Sequence, residues 1–327
     1  MAKSVKGRPV HGVVLVNKPS GRTSNALVQR IKYLTKARRV GHTGALDPMA
    51  TGLLPIVFGF ATRFSQYGLD ADKGYETLVQ LGVTTTTQDA EGAVLETCPV
   101  PHFDLLELEA VLARFRGQIE QVPPAYAALK KDGKRWYRLA RAGVEFDRPT
   151  RSVTIHRLDL LHYDREVGQL RLAVACSKGT YIRALAHDIG AALGVGGHVA
   201  ELTRTAVGDE TLADAVDWAV LESACVDDPE AVDQWLRPID ALVARLPRLE
   251  VTLEDAFLLS QGQKLFRNNI DPCHTIAVFA SDHGFLGICA IDKDGRLCPR
   301  RMLASIATGM RGEAGIGPFG SGMPDEE

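Results

Sequence analysis

The chain has 327 residues, 45% hydrophobic and 24% charged, with a formal net charge of −2; such values describe an ordinary globular protein and exclude fibrous and wholly disordered classes. The length favours one large domain with a smaller one, or two of similar size. No apolar run reaches the roughly eighteen residues of a membrane span, since "GLLPIVFGFATRF" is broken by proline, glycine and arginine.

In chain order, the basic start "MAKSVKGRPVHG" lacks the apolar core and cleavage site of a signal peptide, so cytoplasmic residence is expected. Gly12 to Val16 reads as a short buried strand closed by a Lys-Pro-Ser-Gly turn. Ser24 then offers an N-cap for a helix on which Leu27, Val28, Ile31 and Leu34 recur at helical spacing. Arg38 and Arg39 are expected at its end, where basic side chains suit the helix dipole. "YETLVQLGV" alternates Tyr75, Thr77, Val79 and Leu81 as a strand does, and "TTTTQDAEG" behind it predicts a hairpin or loop. Asp104 and Glu107 fit a capping box for a helix with Leu108, Val111, Leu112 and Phe115 on one face and Gly117 as its stop.

Charge is distributed unevenly along the chain. Residues 1–46 carry ten Lys and Arg and no Asp or Glu, and residues 126–151 carry eight basic against three acidic side chains. Tyr126, Trp136 and Tyr137 are interleaved with the second cluster, a pattern suited to phosphates and to stacking on unpaired bases. Residues 209–240 invert the balance, with ten acidic residues and one Arg. Between these segments "RSVTIHRLDLLHY" and "QLRLAVACSKG" predict a strand hairpin, and "TYIRALAHDIGAALG" predicts an amphipathic helix through Ile182, Leu185, Ala186 and Ile189. From about Arg248 a short helix and short strands, with Asp294-Gly295 as a tight turn, indicate a small β domain. The last nineteen residues hold six glycines and two prolines and read as a disordered tail. The "GIGPFG" within it has neither the preceding strand nor the following helix of a dinucleotide site. Strands and helices mix without regular alternation, so the expected class is α+β with a largely antiparallel sheet. Six scattered cysteines, without a C-x-x-C, read as reduced thiols and no metal site.

The stretch with most chemistry is "GHTGALDPMATGLLP", residues 41–55. Asp47 is the first carboxylate of the chain and stands before a proline in a glycine-spaced loop. Plain turn chemistry explains such a string: aspartate caps, proline fixes φ, and glycines supply unusual angles. The basic setting adds a second reading, because positive neighbours should hold the carboxylate ionised, and an ionised aspartate in a cleft is a nucleophile or a base. Glycosidic hydrolysis usually needs two carboxylates; the loop offers one, with no obvious second.

Together with "KPSGRTSN", "KGYETLVQLG", "GQIEQVPPAYAALKKDGKRWYRLARAGV" and "SKGTYIRALAHDIG", this loop resembles the TruB family of pseudouridine synthases, which modify the T arm of transfer RNA. The resemblance is dense from about residue 11 to 207. It implies a pseudouridine synthase-like catalytic domain over 1–247, with an inserted RNA-binding thumb at about 84–150, a small PUA-like β domain over 248–307 and a tail over 308–327. The implied reaction isomerises uridine 55 of the tRNA T loop: the base is flipped out, N1–C1′ is cleaved and C5–C1′ forms, with no cofactor, no metal and no membrane. A monomer suffices. Asp47 matches the catalytic aspartate, acting at C1′ or in removal of a ribose proton. Tyr75 matches the tyrosine stacked on the base, and Arg183 the arginine paired with the aspartate. Tyr181 and Leu202 match residues lining the uridine pocket. His42 matches a histidine that fills the place of the extruded nucleotide, and Lys18 with Pro19 a motif that shores up the site. Lys130, Lys131, Lys134 and Arg135 fall in the thumb and are candidates for the RNA backbone. The chain departs from the family at Thr86, where an acidic residue is common, while Asp89 is retained. The alternative of another class is an RNA-binding or RNA-folding protein in which isomerisation is lost or secondary.

Overall fold

The computed structural model describes residues 7–127, 129–131, 134–144, 146–267, 271–281 and 284–303, without the side chains at 130, 131, 134, 135, 137 and 141. Two units part between Pro238 and Ile239. The first begins with β1 (Gly12–Lys18), α1 (Ser24–Thr35), β2 (Val40–His42), β3 (Thr51–Phe58), α2 (Ser65–Asp70), β4 (Lys73–Leu81), β5 (Val83–Thr85) and β6 (Val94–Thr97). It continues through α3 (Leu105–Ala113), β7 (Gly117–Gln121), β8 (Lys130–Lys131), β9 (Lys134–Arg135), α4 (Trp136–Arg141), β10 (Arg151–Asp164) and β11 (Gln169–Cys176). The last elements are α5 (Ile182–Ala192), β12 (Gly197–Val207), β13 (Glu210–Thr211), β14 (Val216–Asp217) and α6 (Trp218–Asp227).

Among the described residues, ten strands share one sheet in the order β14-β1-β3-β12-β4-β11-β10-β7, with β2 added to β3 and β13 to β12. Only β1 with β14 and β3 with β12 run parallel among its described pairs, so the expected α+β class with a largely antiparallel sheet is found. The reason lies in the patterns. β1 buries Val13 to Val16 without interruption, as a strand covered on both faces does. β11 instead alternates, burying Leu170, Leu172, Val174 and Cys176. The expected hairpin forms between β10 and β11. Helices α1 and α5 lay Leu27, Val28, Ile31 and Leu34, and Ile182, Leu185, Ala186 and Ile189, into the same core as the sheet. Each such Leu, Ile or Val side chain contributes about 1.5–3 kcal/mol on burial.

Local signals were read correctly where neighbours in sequence supply the partner. The capping box forms: Glu107 N–H donates to Asp104 Oδ1 at 2.7 Å, and Asp104 N–H donates to Glu107 Oε2 at 2.8 Å. The start of α1 needs correcting, since Thr23 is the N-cap and accepts from Ala26 N–H at 3.1 Å. Ser24 is one residue inside because its hydroxyl is engaged by Leu46. The end needs correcting too. Lys36 adopts a left-handed conformation at φ 51° and stops the helix, so Arg38 and Arg39 lie beyond it.

The second unit holds β15 (Arg248–Val251), α7 (Leu253–Ser260), β16 (Leu265–Phe266), β17 (Cys273–Ala280), β18 (Gly284–Ile291) and β19 (Arg296–Met302). Its sheet has the order β15-β17-β18-β19-β16, over a core that includes Val251, Leu259, Val278, Leu286 and Leu297. The β18–β19 turn closes as Asp292 Oδ1 accepts from Asp294 and Arg296 N–H, with Gly295 at φ 73°. The proposed tail, 308–327, lies outside the described residues. Among those residues no helix is long and apolar enough to cross a membrane.

Candidate active site

The loop between β2 and β3 is clamped from three elements. Ser24 at the start of α1 exchanges hydrogen bonds with Leu46, donating to its carbonyl at 3.1 Å and accepting from its N–H at 2.8 Å. Lys18, fully buried at the end of β1, donates to the carbonyls of Pro19, Pro48 and Ala50 at 2.8, 3.1 and 2.6 Å. All three ammonium protons are then used on backbone carbonyls, two of them in the loop just after Asp47. Burial pushes the Lys18 pKa down to about 8, against the upward pull of the Asp47 charge. From β12, Arg204 donates to Gly44 O at 3.0 Å and to Leu53 O at 2.7 Å. Gly52 sits at φ 101° with room for no side chain, because a Cβ would lie 2.3 Å from the Arg204 carbonyl. That close approach lets β3 leave the loop directly alongside β12.

Asp47 therefore projects from a fixed backbone, and its side chain is 37% exposed. A ligand can reach it. Arg183, in the first turn of α5 and 4% exposed, places Nε 2.8 Å from Asp47 Oδ2 and donates from Nη2 to Oδ1 at 3.2 Å. The same guanidinium donates to Thr87 O at 2.8 Å and Tyr126 O at 3.2 Å, and Nη1 lies 3.5 Å from Asp89 Oδ2. Asp89 is buried and is itself held by Thr87 Oγ1 and by Glu91 N–H. Arg183 thus stands between two carboxylates, one open and one closed off. The sequence led us to expect positive neighbours to dominate the Asp47 charge; burial outweighs them. Desolvation pushes the Asp47 carboxyl above the usual range, Arg183 pulls it back, and Asp89 pushes it further up. The second carboxylate not obvious in the loop is Asp89, brought in from between β5 and β6.

Tyr75 on β4 and Arg204 on β12 are direct cross-strand partners, so their side chains share one face. Burial raises the Tyr75 pKa, with Arg204 the largest opposing influence. Sequence reasoning passed over Arg204; its signal was the alternation of β12, which puts Leu202 and Arg204 on the same buried face. Leu202 lies in the apolar core. Half-buried Tyr181 caps the entry to α5, exchanging hydrogen bonds with the Gln121 side chain at 2.8 and 3.1 Å, and Arg151 lies 5.7 Å from its ring centroid. Arg151 also lines an open depression with Lys178 and Gly179. His42 Nδ1 accepts from Gly44 N–H at 3.2 Å, and burial lowers its pKa, which favours the neutral ring. Thr86, where an acidic residue was anticipated, uses its hydroxyl to accept from Ala93 N–H at 3.1 Å.

The basic residues 130, 131, 134 and 135 pair as Lys130 with Arg135 and Lys131 with Lys134 in the β8–β9 hairpin; their side chains lie outside the described residues, as does that of Tyr137. Trp136 corrects an expectation. It is 4% exposed and packs on Phe146 at 5.2 Å, so the indole serves the local core and is not offered to a base. Among the described residues no group of three or more His, Cys, Asp or Glu is placed to hold a metal ion.

Comparison with known proteins supplies the family. The TruB family pseudouridylate synthase (N terminal domain) matches residues 32–182, the tRNA pseudouridylate synthase B C-terminal domain matches 183–244, and Pseudouridine synthase II TruB, C-terminal, matches 247–303. The tRNA pseudouridine synthase B of Ectopseudomonas mendocina (strain ymp) is 50% identical over 297 residues, which is 90% of this chain and 96% of that one. The chain belongs to the TruB family of pseudouridine synthases. The tRNA pseudouridine synthase B of Pseudomonas aeruginosa (strain UCBPP-PA14) is 46% identical over 299 residues, covering 91% and 97%. Among solved structures, an H/ACA RNP bound to a substrate RNA containing 2′-deoxyuridine superimposes with a TM-score of 0.69 at 21% identity, over 94% of this chain and 93% of that one. A Cbf5-Nop10-Gar1 complex gives 0.67 at 23%, over 87% and 79%. At such identities these two establish the shared fold. In this chain the Asp47 loop and the start of α5 are where the carboxylate and the Arg183 guanidinium meet.

Proposed function

We propose that the chain converts uridine 55 in the T loop of tRNA to pseudouridine. The observation that carries this reading is the accessible Asp47 carboxylate, braced by a buried guanidinium on a loop clamped from three elements. Relatives 50% identical are called tRNA pseudouridine synthase B, which supports tRNA as the substrate. The reacting atoms are unreachable in a stacked base, so the nucleotide must be flipped out; His42 takes the place it leaves. Tyr75 stacks on the uracil, with Tyr181 and Leu202 as further walls of the pocket. Asp47 either attacks C1′ or assists removal of a ribose proton, and N1–C1′ breaks. The base turns, C5–C1′ forms, the C5 proton leaves and N1 gains one. Tyr75 is the acceptor of the C5 proton. Arg183 orients the Asp47 oxygens and offsets their charge, while Lys18 fixes the loop. Lys130, Lys131, Lys134 and Arg135 contact RNA phosphates. The chain acts as a monomer in the cytoplasm, and the chemistry needs no added group.

The test is turnover by purified protein on an unmodified T-arm stem-loop, without added metal or cofactor. Pseudouridine is expected at the position of uridine 55, and Asp47→Asn should abolish it while stem-loop affinity stays within a few-fold. Full turnover by Asp47→Asn overturns the reading. Tyr75→Phe should keep binding and slow single turnover; an unchanged rate removes the proton-acceptor role and leaves stacking.

A further inference from the structure

Gln121, the last residue of β7, is 1% exposed, and its side-chain amide spans the backbone of a single distant residue. Oε1 accepts from Tyr181 N–H at 2.8 Å, and Nε2 donates to Tyr181 O at 3.1 Å. Tyr181 is the N-cap of α5, and its own side chain caps nothing. An N–H at that position has no partner within its helix, so Gln121 supplies one from another element. Tyr181 also ends the link that carries the chain from β11 to α5. The start of that link is fixed to β10, where Ser177 N–H donates to Thr154 O at 2.8 Å and Ser177 Oγ accepts from Thr154 N–H at 2.9 Å. Gln121 and Arg151 are direct cross-strand partners between β7 and β10, so their side chains share one face. From that face Gln121 holds the Tyr181 backbone, and Arg151 lies 5.7 Å from the centroid of its ring. Arg183, two residues further on, has anchors of its own in Thr87 O, Tyr126 O and Asp89. The group that depends on Gln121 is therefore Tyr181.

We propose that Gln121 is a positioning residue for Tyr181: its buried amide sets where the tyrosine ring stands against the flipped uracil. This rests on the reading of Tyr181 as a wall of the uridine pocket. A side-chain amide suits the task, because it offers an acceptor and a donor side by side. The two match the N–H and C=O of one residue and fix its orientation as well as its distance. Tyr181 O also accepts from Leu185 N–H at 3.1 Å, so the first turn of α5 is tied to β7 through this one carbonyl. Without the amide a buried N–H is left unpaired and the ring is free to shift; a misplacement of about 1 Å costs on the order of a hundredfold in rate. Residues 122–150 leave the sheet after Gln121 and rejoin it at Arg151, so both ends of that segment meet at Tyr181.

The test uses Gln121→Met in the full chain, which keeps the length of the side chain and loses both hydrogen bonds. Single-turnover rate and affinity are measured on the unmodified stem-loop, and the Tyr181 amide is followed by NMR with 15N-labelled tyrosine, its signal being the one lost in Tyr181→Ala. In Gln121→Met the rate should fall about tenfold to a hundredfold while affinity stays within a few-fold, and exchange of the Tyr181 amide with solvent should speed up about tenfold or more. Added to Tyr181→Ala, Gln121→Met should slow the enzyme little further, because the two act as one unit. A residue that served only the stability of the sheet would give losses that multiply independently. That outcome, a parental rate, or an unchanged Tyr181 amide overturns the proposal. If Tyr181→Ala keeps the full rate, the pocket-wall reading fails separately, and the amide exchange still decides the Gln121 link. Should Gln121→Met not fold, Gln121→Asn takes its place, with the same amide one methylene too short to span Tyr181, and the same outcomes decide.

Discussion

Replacing Arg183 with glutamine probes the centre of the site most directly. At 2.8 Å from Asp47 Oδ2, a unit positive charge lowers the energy of the carboxylate by about 6 kcal/mol at an effective dielectric of about 20. With 37% of the Asp47 side chain in solvent, screening leaves on the order of half of that, or about two pKa units. Desolvation already holds this carboxyl above the usual range. The acidic limb of the single-turnover profile, which reports ionised Asp47, should therefore move upward by about two pH units in Arg183→Gln. Arg183→Gln also strands the buried Asp89, a destabilisation of about 3–5 kcal/mol. The double variant Arg183→Gln/Asp89→Asn relieves this strain and serves as the folded control. Its limb should still lie above the parent's, by less, because Arg183 influences Asp47 more than Asp89 does. The assay is pseudouridine formation in the stem-loop from pH 5 to 9. A rate that drops while the limb stays in place would refute the electrostatic role and leave Arg183 as a steric brace.

Further outcomes are expected elsewhere in the site. Asp47→Asn should melt no lower than the parent at neutral pH. A folded pKa raised above the unfolded value gives stability only while the acid is protonated, so ionised Asp47 is a cost at pH 7; a clear fall in Tm would contradict this. Lys18, with its pKa lowered to about 8, should lose a proton and one of its three carbonyl contacts above that pH. Catalysis should decline there while stability does not, since a lowered lysine pKa makes folding more favourable as pH rises from the folded towards the unfolded value. Lys18→Met should slow turnover about a hundredfold through loop misplacement, measured with binding held constant. Each lysine removed from Lys131 and Lys134 should reduce the slope of log affinity against log salt by about 0.7–0.9, and an unaltered slope would remove them from the RNA backbone.

Much of the architecture was legible because its causes are local. The Asp104–Glu107 box, the alternation of β11 and the stripe on α5 each depend on residues a few positions apart, and each was found where expected. The string around Asp47, Tyr75 and Arg183 also named the family before any fold was known. Local reading failed where a distant partner claimed a group. Ser24 looked like a cap until Leu46 took its hydroxyl, and Trp136 looked like a base-stacking surface until Phe146 covered it.

The sequence by itself determined most of the elements, the class of fold and the family, since residue type and spacing are enough for those. Tertiary structure alone decided the charge environment. Asp47 and Arg183 are 136 residues apart in the chain, and the register of β12 against β4 brings Arg204 to Tyr75. Charge acts through space and is set by burial, so Asp89, which the sequence marked only as a retained acid, and Arg204, which it did not mark at all, become groups that act on the carboxylate and the phenol.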